Sequence, residues 1–251
     1  MRLENKIALV TGGASGLGKG IAQRFVEEGA VTWISDISAD GQAVAEYLGA
    51  HFVEQDVRQE SQWEQIFHQL HDQYGRVDVV VNNAGVFNSA PVDETDLADW
   101  QRVMDVNLTG VFLGCKHAVR VMKRQSEGGS IVNLSSVTGL RGQRGGATYS
   151  ASKGGVRLLT KSVALENANL AIRCNSIHPG IIDTPILDPI FAATDDEPAL
   201  RRRLEAQLPM GYLGDPAHDI GNMAVYLASD ESRYITGAEM VVDGGMTIGL
   251  P

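Results

Sequence analysis

The sequence predicts an α/β protein in which a parallel sheet is covered by helices on both faces. Short runs rich in Val and Ile alternate with longer stretches of helical period along the whole chain. The short runs are almost continuously apolar, which is typical of strands buried on both faces of a parallel sheet. The first run leads through a glycine-rich turn into a helical stretch, which is the arrangement of a βα unit.

Each strand is predicted from an apolar run that a turn or a helical stretch follows. The first two runs are KIALV (6–10) and AVTWIS (30–35), which flank the first helical stretch. The other five are HFVEQ (51–55), VDVVV (77–81), SIVNLS (130–135), AIRCNSI (171–177) and GAEMVVDGG (237–245). Runs this short and this rich in β-branched residues favour strand over helix.

Helices are predicted between the strands, where apolar residues recur with helical period. The stretches are LGKGIAQRFVEEG (17–29), ADGQAVAEYLG (39–49), QWEQIFHQLHDQYG (62–75), about 99–124, a helix that begins near 149, and PAHDIGNMAVYLAS (216–229). No repeat and no linker rich in Pro, Gly or Ser divides the chain. Residues 1–251 are therefore predicted to form a single domain.

One segment, at about 183–214, interrupts this alternation and is predicted to be a lid over a substrate pocket. It inserts a polar loop and a short helix after the sixth strand, and Leu200, Leu204 and Leu208 recur there every four residues. Ligands of open α/β sheets bind beyond the carboxyl ends of the strands, where this segment departs. The alternative is a surface excursion that only packs on the core.

The composition indicates an acidic globular protein with no general affinity for nucleic acid. The 251 residues carry a formal net charge of −10, and the pI is about 5.0. Such a balance disfavours contact with phosphate backbones. The two cysteines, at 115 and 174, indicate no disulfide framework. The sequence contains no signal-like segment or apolar stretch of membrane-spanning length, so a cytoplasmic location without membrane association is predicted.

The glycine-rich turn VTGGASGLGKG (10–20) is a candidate phosphate-binding turn. Glycines allow a tight turn, and without a Cβ the backbone at the start of the helix can approach a pyrophosphate. The spacing differs from G-x-G-x-x-G, and many strand–helix turns are glycine-rich for folding reasons alone. Asp36 ends the second strand and could accept hydrogen bonds from an adenosine ribose, whereas it would repel a 2′-phosphate. Since Ile37 follows and Ser15 is neutral, the prediction is NAD rather than NADP; a helix cap is the alternative role for Asp36.

Tyr149 and Lys153, in TYSASKGG (148–155), are separated by four positions and therefore share a face of the predicted helix. A free tyrosine has a pKa of about 10, too high for a base at neutral pH. We expect the neighbouring ammonium, together with a positive nicotinamide ring, to lower that pKa. Tyr149 could then take a proton from an alcohol or return it. Taken alone, a Tyr–Lys pair on a helix surface usually has no function.

Seven motifs occur together in a fixed order: TGGASGLG (11–18), DV (56–57), NNAG (82–85), Asn107, SS (135–136), YSASK (149–153) and HPGIIDTP (178–185). Their order and spacing resemble the short-chain dehydrogenase/reductase family over nearly the whole chain. The resemblance implies a single Rossmann-like domain with a seven-stranded parallel sheet. It also implies an NAD-dependent oxidoreductase that acts on a small molecule, and a homotetramer assembled through the helices of Asn107 and Tyr149.

The resemblance assigns catalysis to Asn107, Ser136, Tyr149 and Lys153. It implies that the dinucleotide contacts Gly12, Ser15, Gly16, Leu17, Gly18, Asp36, Asp56, Val57, Asn83, Ala84, Gly85, Tyr149, Lys153, Pro179, Gly180, Ile182 and Thr184. In that assignment Asp56 binds the adenine amino group and Thr184 the nicotinamide carboxamide. The alternatives are a loop-capping acid at Asp56 and a simple turn at Pro179. Asn82 is interpreted as a structural asparagine that bonds neighbouring strands.

Two catalytic roles also follow from the resemblance. Ser136, thirteen residues before Tyr149, is implied to hydrogen-bond the reacting oxygen, since the family spacing selects it over Ser135. Asn107 lies among apolar neighbours in the middle of a predicted helix, an unfavourable place for an amide. The resemblance implies that it holds a water that relays protons from Lys153 to solvent. A satisfied core amide is the alternative.

Substrate contacts are predicted from Ser136, Thr138, Gln143, Tyr149 and Leu187, with Phe87 as a further candidate. Most residues of the predicted pocket are apolar and no arginine clearly points inward, which favours a neutral, largely apolar secondary alcohol or ketone. The ending YITGAEMVVDGG is similar to that of bacterial NAD-dependent hydroxysteroid and cyclic-alcohol dehydrogenases.

Two other functions stay open. A 3-oxoacyl thioester reductase would use NADPH and would have a basic patch at the pocket mouth. A non-catalytic dinucleotide sensor would be expected to have lost part of the Ser–Tyr–Lys set, which is intact here. The six histidines show no metal-ligand spacing in the sequence, so no metal is predicted.

Overall fold

The computed structural model describes residues 1–192 and 194–249; residues 193, 250 and 251 of the predicted domain lie outside the described part. The strands are β1 (Ile7–Thr11), β2 (Val31–Asp36), β3 (His51–Glu54), β4 (Val79–Asn82), β5 (Gly129–Leu134), β6 (Ile172–Pro179) and β7 (Glu239–Val242). They form one seven-stranded sheet in the order β3-β2-β1-β4-β5-β6-β7, and every pair is parallel. The predicted fold class is confirmed.

The helices of the described residues cover both faces of this sheet. They are α1 (Gly16–Glu27), α2 (Gly41–Leu48), α3 (Glu60–Tyr74), α4 (Leu97–Met104), α5 (Gly110–Met122), α6 (Ala147–Asn167), α7 (Asp188–Ala192), α8 (Glu197–Glu205) and α9 (Asn222–Ala228). The single helix predicted for about 99–124 is wrong in one respect. A π-helical turn over Asp105–Thr109 separates α4 from α5, and hydrophobic periodicity cannot reveal such a local change of winding.

Two apolar clusters, one on each face, hold the helices to the sheet. Trp63 and Phe67 of α3 pack with residues of α5 and α6 on one face. Ile21 and Phe25 of α1 pack with α9 on the other. Burying a side chain of the size of Phe25 stabilises the fold by about 1.5–3 kcal/mol. Because both faces are covered, the strands read as continuous apolar runs in the sequence.

The strand order places the site. From β1 the chain runs to β2 and β3 on one side, then crosses to β4 and continues outward on the other. The connections leaving β1 and β4 therefore diverge, and a crevice opens at the carboxyl ends of these two strands. The glycine turn follows β1, and NNAG (82–85) begins at the last residue of β4.

The segment predicted as a lid leaves and returns at one place. Asp183 donates its N–H to the Gly214 carbonyl at 2.9 Å, and Gly214 donates to the Ile181 carbonyl at 3.1 Å. Between these ends the described residues contain two helices, α7 and α8, where the sequence predicted one. Helix α8 ends at Glu205, so Leu208 of the predicted stripe lies beyond the helix, although its side chain is buried.

No helix within the described residues has both the length and the apolar character needed to cross a bilayer.

Candidate active site

Residues 134–136, where β5 ends, include Ser136 of the predicted catalytic set and contact Lys153. Lys153 donates from Nζ to the Leu134 carbonyl at 2.7 Å, and the Ser135 hydroxyl donates to the Lys153 carbonyl at 2.9 Å. Ser136 follows in an extended conformation and begins a 3₁₀ turn over residues 137–139. Its Oγ accepts hydrogen bonds from Thr138, one from the backbone N–H and one from the hydroxyl, both at 3.1 Å. The hydrogen of the Ser136 hydroxyl is thus free for a third partner.

Tyr149 and Lys153 lie on α6 with Lys153 directed back towards the tyrosine. The Lys153 Nζ atom is 5.6 Å from the centre of the Tyr149 ring. Phe87, from the loop after β4, packs its ring edge-to-face against Tyr149 with centroids 5.1 Å apart. The phenol also contacts the Ser136 side chain, which lowers its pKa. The structure therefore brings Ser136, Tyr149 and Lys153 together from β5 and α6.

The expected lowering of the Tyr149 pKa by Lys153 is not found in the protein alone. Burial raises the pKa of Tyr149 to about 12, and the contact with Ser136 offsets only part of that rise. Burial likewise lowers the pKa of Lys153 to about 8. Each side chain is pushed towards its neutral form because both are desolvated.

Asn107 is fully buried in the π-helical turn between α4 and α5. Its Oδ1 accepts from the Val86 N–H at 2.8 Å, and its Nδ2 donates to the Val86 carbonyl at 2.9 Å and to the Ser152 hydroxyl at 3.2 Å. The amide thus matches the alternative of a satisfied core amide and fixes the loop after β4. A role in a water relay stays a prediction.

The glycine turn and NNAG are packed against each other. A Cβ on Gly18 would lie 2.0 Å from the Gly12 carbonyl oxygen, and a Cβ on Gly12 would lie 2.8 Å from Ala84 Cα. Asn83 donates from Nδ2 to the carbonyls of Thr11 and Gly12 at 2.9 and 3.1 Å. These two glycines and Asn83 are accordingly used for packing within the turn. Their contact with the dinucleotide stays a prediction.

Gly16 and the start of α1 fit the phosphate-binding prediction better. Gly16 has a φ of +51°, a conformation that disfavours residues with a Cβ. The N-cap, Ser15, is exposed, and no side chain in the described part of the chain caps this helix end. The first N–H groups of α1 are therefore available to an anion, and the helix dipole favours one there.

Asp36 lies at the end of β2 and is half-buried. Its two oxygens accept the N–H groups of Ala14 and Ser38, each at 3.0 Å. The carboxylate is thus fixed beside the glycine turn by backbone donors. Among the described residues no Lys or Arg forms an ion pair with it. No ion pair within the described residues therefore neutralises its negative charge.

Asp56 makes the loop-capping contacts that were the alternative to adenine binding. Arg58 donates from Nη2 to one carboxylate oxygen at 2.6 Å and from its backbone N–H to the other at 3.0 Å. This pair holds the pKa of Asp56 below its usual value. Val57, next in the chain, is buried and accepts the Trp63 indole N–H on its carbonyl at 2.8 Å.

The loop after β6 faces the glycine turn. A Cβ on Gly16 would lie 3.5 Å from Thr184 Cβ, so the two loops approach each other directly. A cavity of about 350 Å³ opens beside this contact, and Ser15, Lys19 and Asp183 are among the residues that line it. Ile182 is buried, and Gly180 donates to the Val242 carbonyl at 2.9 Å, which fixes the loop to β7. Pro179 ends β6 opposite Val242.

Known proteins share this arrangement of motifs. Residues 12–247 match a family model described as enoyl-(acyl carrier protein) reductase. The chain is 43% identical over 253 residues to the NADP-dependent (R)-specific alcohol dehydrogenase of Lentilactobacillus kefiri, covering 98% of both chains. It is 44% identical to the 3-alpha-(or 20-beta)-hydroxysteroid dehydrogenase of Mycobacterium bovis, covering 99% of this chain and 92% of that one. It is 39% identical to the cyclopentanol dehydrogenase of Comamonas sp., covering 98% of both.

The chain belongs to the short-chain dehydrogenase/reductase family. It is accordingly an oxidoreductase that uses a nicotinamide dinucleotide. The uncapped start of α1 and the Cβ-free backbone at Gly16 fit a dinucleotide's pyrophosphate, and Asp36 fits its adenosine ribose.

The predicted substrate residues of this short-chain dehydrogenase/reductase lie in different parts of the structure. Thr138 is bonded to the Ser136 hydroxyl. Leu187 is half-buried in the 3₁₀ turn that opens the predicted lid. Gln143 is exposed on the loop before α6, and Ala90 joins this loop to the one after β4 by an N–H bond to the Gly145 carbonyl at 2.9 Å. Phe87, on the latter loop, reaches Tyr149.

Two residues that hold the loops of this site in place, Thr11 and His178, were not predicted from the sequence. Thr11 accepts the N–H groups of Asn83 and Ala84 on its hydroxyl at 3.0 and 3.1 Å. His178, for which no individual role was predicted, is fully buried and hydrogen-bonds the Ser136 carbonyl. Its position within HPGIIDTP was the available signal. Asn82 donates to Asn133 of β5 at 2.8 Å, as expected of a structural asparagine.

One cluster away from the catalytic set could hold a metal ion. Glu60, Glu64 and His117 place their ligand atoms within 4.8 Å of one another, although their sequence spacing gave no sign of it. The Lys116 ammonium lies 2.5 Å from a Glu60 oxygen. A cation thus already occupies the acidic side of this cluster.

Proposed function

We propose that the chain is an NAD-dependent dehydrogenase of neutral, largely apolar secondary alcohols, with hydroxysteroids and cyclic alcohols as the leading classes and Tyr149 as the acid/base. The observation that carries the proposal is the assembly of Ser136, Tyr149 and Lys153 at the ends of β5 and α6. The names of the relatives from Mycobacterium bovis and Comamonas sp. support the substrate classes.

In this proposal each side chain has a separate task. Tyr149 takes the proton of the alcohol, or returns it to the ketone in the reverse direction. Ser136 donates its free hydroxyl hydrogen to the reacting oxygen, because its Oγ already accepts two bonds from Thr138. Lys153 places a cation near the phenol, which favours the phenolate. Bound NAD⁺ would accept the hydride and add positive charge at the same place.

The dinucleotide would be held by the loops that follow β1, β2, β4 and β6. The N–H groups at the start of α1 would bind the pyrophosphate, and Asp36 would accept the ribose hydroxyls. A 2′-phosphate beside Asp36 would meet a like charge, which costs several kcal/mol when desolvated. This charge supports NAD, although the relative from Lentilactobacillus kefiri is named as NADP-dependent.

The substrate is proposed to lie against Phe87 and Leu187, with the segment 183–214 as its lid. Apolar side chains at these positions favour an uncharged substrate. Arg141 and Arg144 are exposed on the loop before α6. That pair favours a carrier-bound 3-oxoacyl thioester as a second candidate.

The test is a turnover assay with NAD⁺ and NADP⁺ on a panel of secondary alcohols, hydroxysteroids included, followed by absorbance of the reduced nicotinamide. We expect kcat/KM with NAD⁺ to exceed that with NADP⁺ by at least about 100-fold, and Asp36→Ala to cut this ratio by at least about ten-fold. Asp40→Ala is the matched control, since Asp40 is exposed on the same connection. Activity with NADP⁺ only, together with turnover of a 3-oxoacyl thioester, would contradict the proposal.

We also propose a cytoplasmic homotetramer. Phe112 of α5 and Leu158 and Leu165 of α6 are 47%, 62% and 83% exposed, so these two helices present apolar side chains outward. Light scattering after gel filtration is expected to give four times the chain mass of 27.0 kDa. Leu158→Glu should lower that mass, whereas Tyr47→Glu on the exposed face of α2 should not. A monomeric wild type would contradict the proposal.

A further inference from the structure

His178 is a fully buried histidine directly behind the catalytic serine. It lies on β6, one residue before the strand ends at Pro179, and it faces the connection that carries Ser136. Its Nδ1 atom is 3.0 Å from the Ser136 carbonyl oxygen, and its Nε2 atom is 2.8 Å from the Ser176 hydroxyl. Both ring nitrogens are therefore engaged, one of them with the backbone of the serine.

The partners determine the tautomer. A carbonyl oxygen only accepts, so Nδ1 must carry a hydrogen and donate it to Ser136. Burial lowers the pKa of His178 and keeps the ring neutral. The Nε2 atom is then an acceptor, and the Ser176 hydroxyl donates to it. The Ser136 carbonyl thus sets the tautomer of His178, and the Ser176 hydroxyl satisfies the Nε2 atom that this tautomer leaves bare.

The Ser136 carbonyl is held on two sides. Gly139 donates its N–H to the same oxygen at 2.9 Å, which closes the 3₁₀ turn, and His178 approaches from the neighbouring strand. The turn fixes Ser136 relative to Thr138. Ser135 donates its N–H to the Ile177 carbonyl of β6 at 2.8 Å, and His178 adds a side-chain bond to β6 at the serine itself. The Oγ atom belongs to the same residue, so these bonds also orient it relative to the loop after β6.

We infer that His178 is a positioning residue that donates from Nδ1 to the Ser136 carbonyl, with Ser176 satisfying its Nε2 atom, and so holds Ser136 where the serine hydroxyl meets the reacting oxygen. The inference rests on the proposed function, since it assigns His178 a task in that reaction. The proposed role of His178 differs from packing alone. A side chain of similar size that fills the same space without an N–H donor would not replace it.

The test is a double-mutant cycle between His178→Leu and Ser136→Ala. With Ser136 present, His178→Leu is expected to lower kcat about ten-fold and to leave KM for NAD⁺ within about two-fold. With Ser136→Ala, the same change should alter the remaining kcat by less than about two-fold, because no hydroxyl is left to position. Equal losses in both backgrounds would show a general structural role and overturn the inference.

Rescue separates the hydrogen bond from the shape of the side chain. The amide nitrogen of His178→Asn can lie near the position of Nδ1, so this variant is expected to recover most of the lost kcat. Ser176→Ala removes the donor to Nε2 and should lower kcat by about two- to five-fold without loss of fold, as followed by thermal unfolding. An Asn variant no better than His178→Leu would contradict the inference, and these two variants keep the test valid if the leucine variant fails to fold.

One readout does not depend on turnover. Nitrogen NMR of the wild-type protein should show the His178 ring protonated on Nδ1 and bare on Nε2. A wild-type ring protonated on Nε2 would overturn the inference by itself. A protein with the expected tautomer that oxidises none of the alcohols would instead count against the proposed function.

Discussion

Tyr149→Phe is expected to lower kcat for alcohol oxidation by at least about a thousand-fold, because the phenol is the proposed proton acceptor and general acid–base groups contribute about 10²–10⁴-fold. Binding of NAD⁺, measured by calorimetry, should change by less than about three-fold, since the ring and its contact with Phe87 remain. The combination of lost turnover and retained binding identifies a group used in the chemical step.

Tyr234→Phe is the matched control for this change. Tyr234 is fully exposed, so loss of its hydroxyl should leave both kcat and binding unaltered. A Tyr149→Phe enzyme that keeps more than about a tenth of the wild-type kcat would refute the assignment of Tyr149 as the acid/base. Loss of NAD⁺ binding in parallel would instead point to a structural effect of the substitution.

Lys153→Met is expected to lower kcat at pH 7 by at least about a hundred-fold without destabilising the protein. The lysine is 4% exposed, and burial lowers its pKa to about 8, so its ammonium is costly to hold in the fold. Methionine has a similar length and no charge, and it loses only the bond to the Leu134 carbonyl. Chemical denaturation at pH 7 should therefore give an unfolding free energy no lower than that of the wild type.

The pH dependence of alcohol oxidation tests whether Lys153 acts on the Tyr149 phenol. The Lys153 ammonium favours phenolate, so its removal should leave the pKa of Tyr149 higher in the complex with NAD⁺. Oxidation by the wild type should rise with pH and level off, whereas the Lys153→Met enzyme should still be rising at pH 10. Parallel profiles for the two enzymes would show that Lys153 does not act on the phenol.

The ionisation of Lys153 should also make the free energy of unfolding depend on pH. The pKa of Lys153 is about 8 in the folded protein and 10.5 in the unfolded reference. Between these values the unfolded chain holds a proton that the folded chain has lost, so the wild-type unfolding free energy gains with rising pH there. The Lys153→Met protein should lack this gain. Lys161→Met, which removes a half-exposed lysine of the same helix, is the matched control.

The strands were predictable because their signal is local. The inner strands are covered on both faces, so a continuous apolar run such as VDVVV (77–81) has no other stable placement. The helices were predictable for the same reason, except where winding changed. The π-helical turn at Asp105–Thr109 depends on the contacts of Asn107 with Val86, which come from a different part of the chain.

Within the site, the sequence alone predicted which residues carry the chemistry. Helical spacing places Tyr149 and Lys153 on one face and Asp36 at the end of its strand, and the order of the family motifs gives these residues their predicted roles. The tertiary structure decided what these residues do to one another. Burial, not the neighbouring charge, sets the pKa values of Tyr149 and Lys153 in the protein alone. Packing between two loops makes Gly12, Gly18 and Asn83 partners of each other. The bond from His178 to Ser136 joins residues 42 positions apart, and pairing of β5 with β6 is the physical reason that it exists.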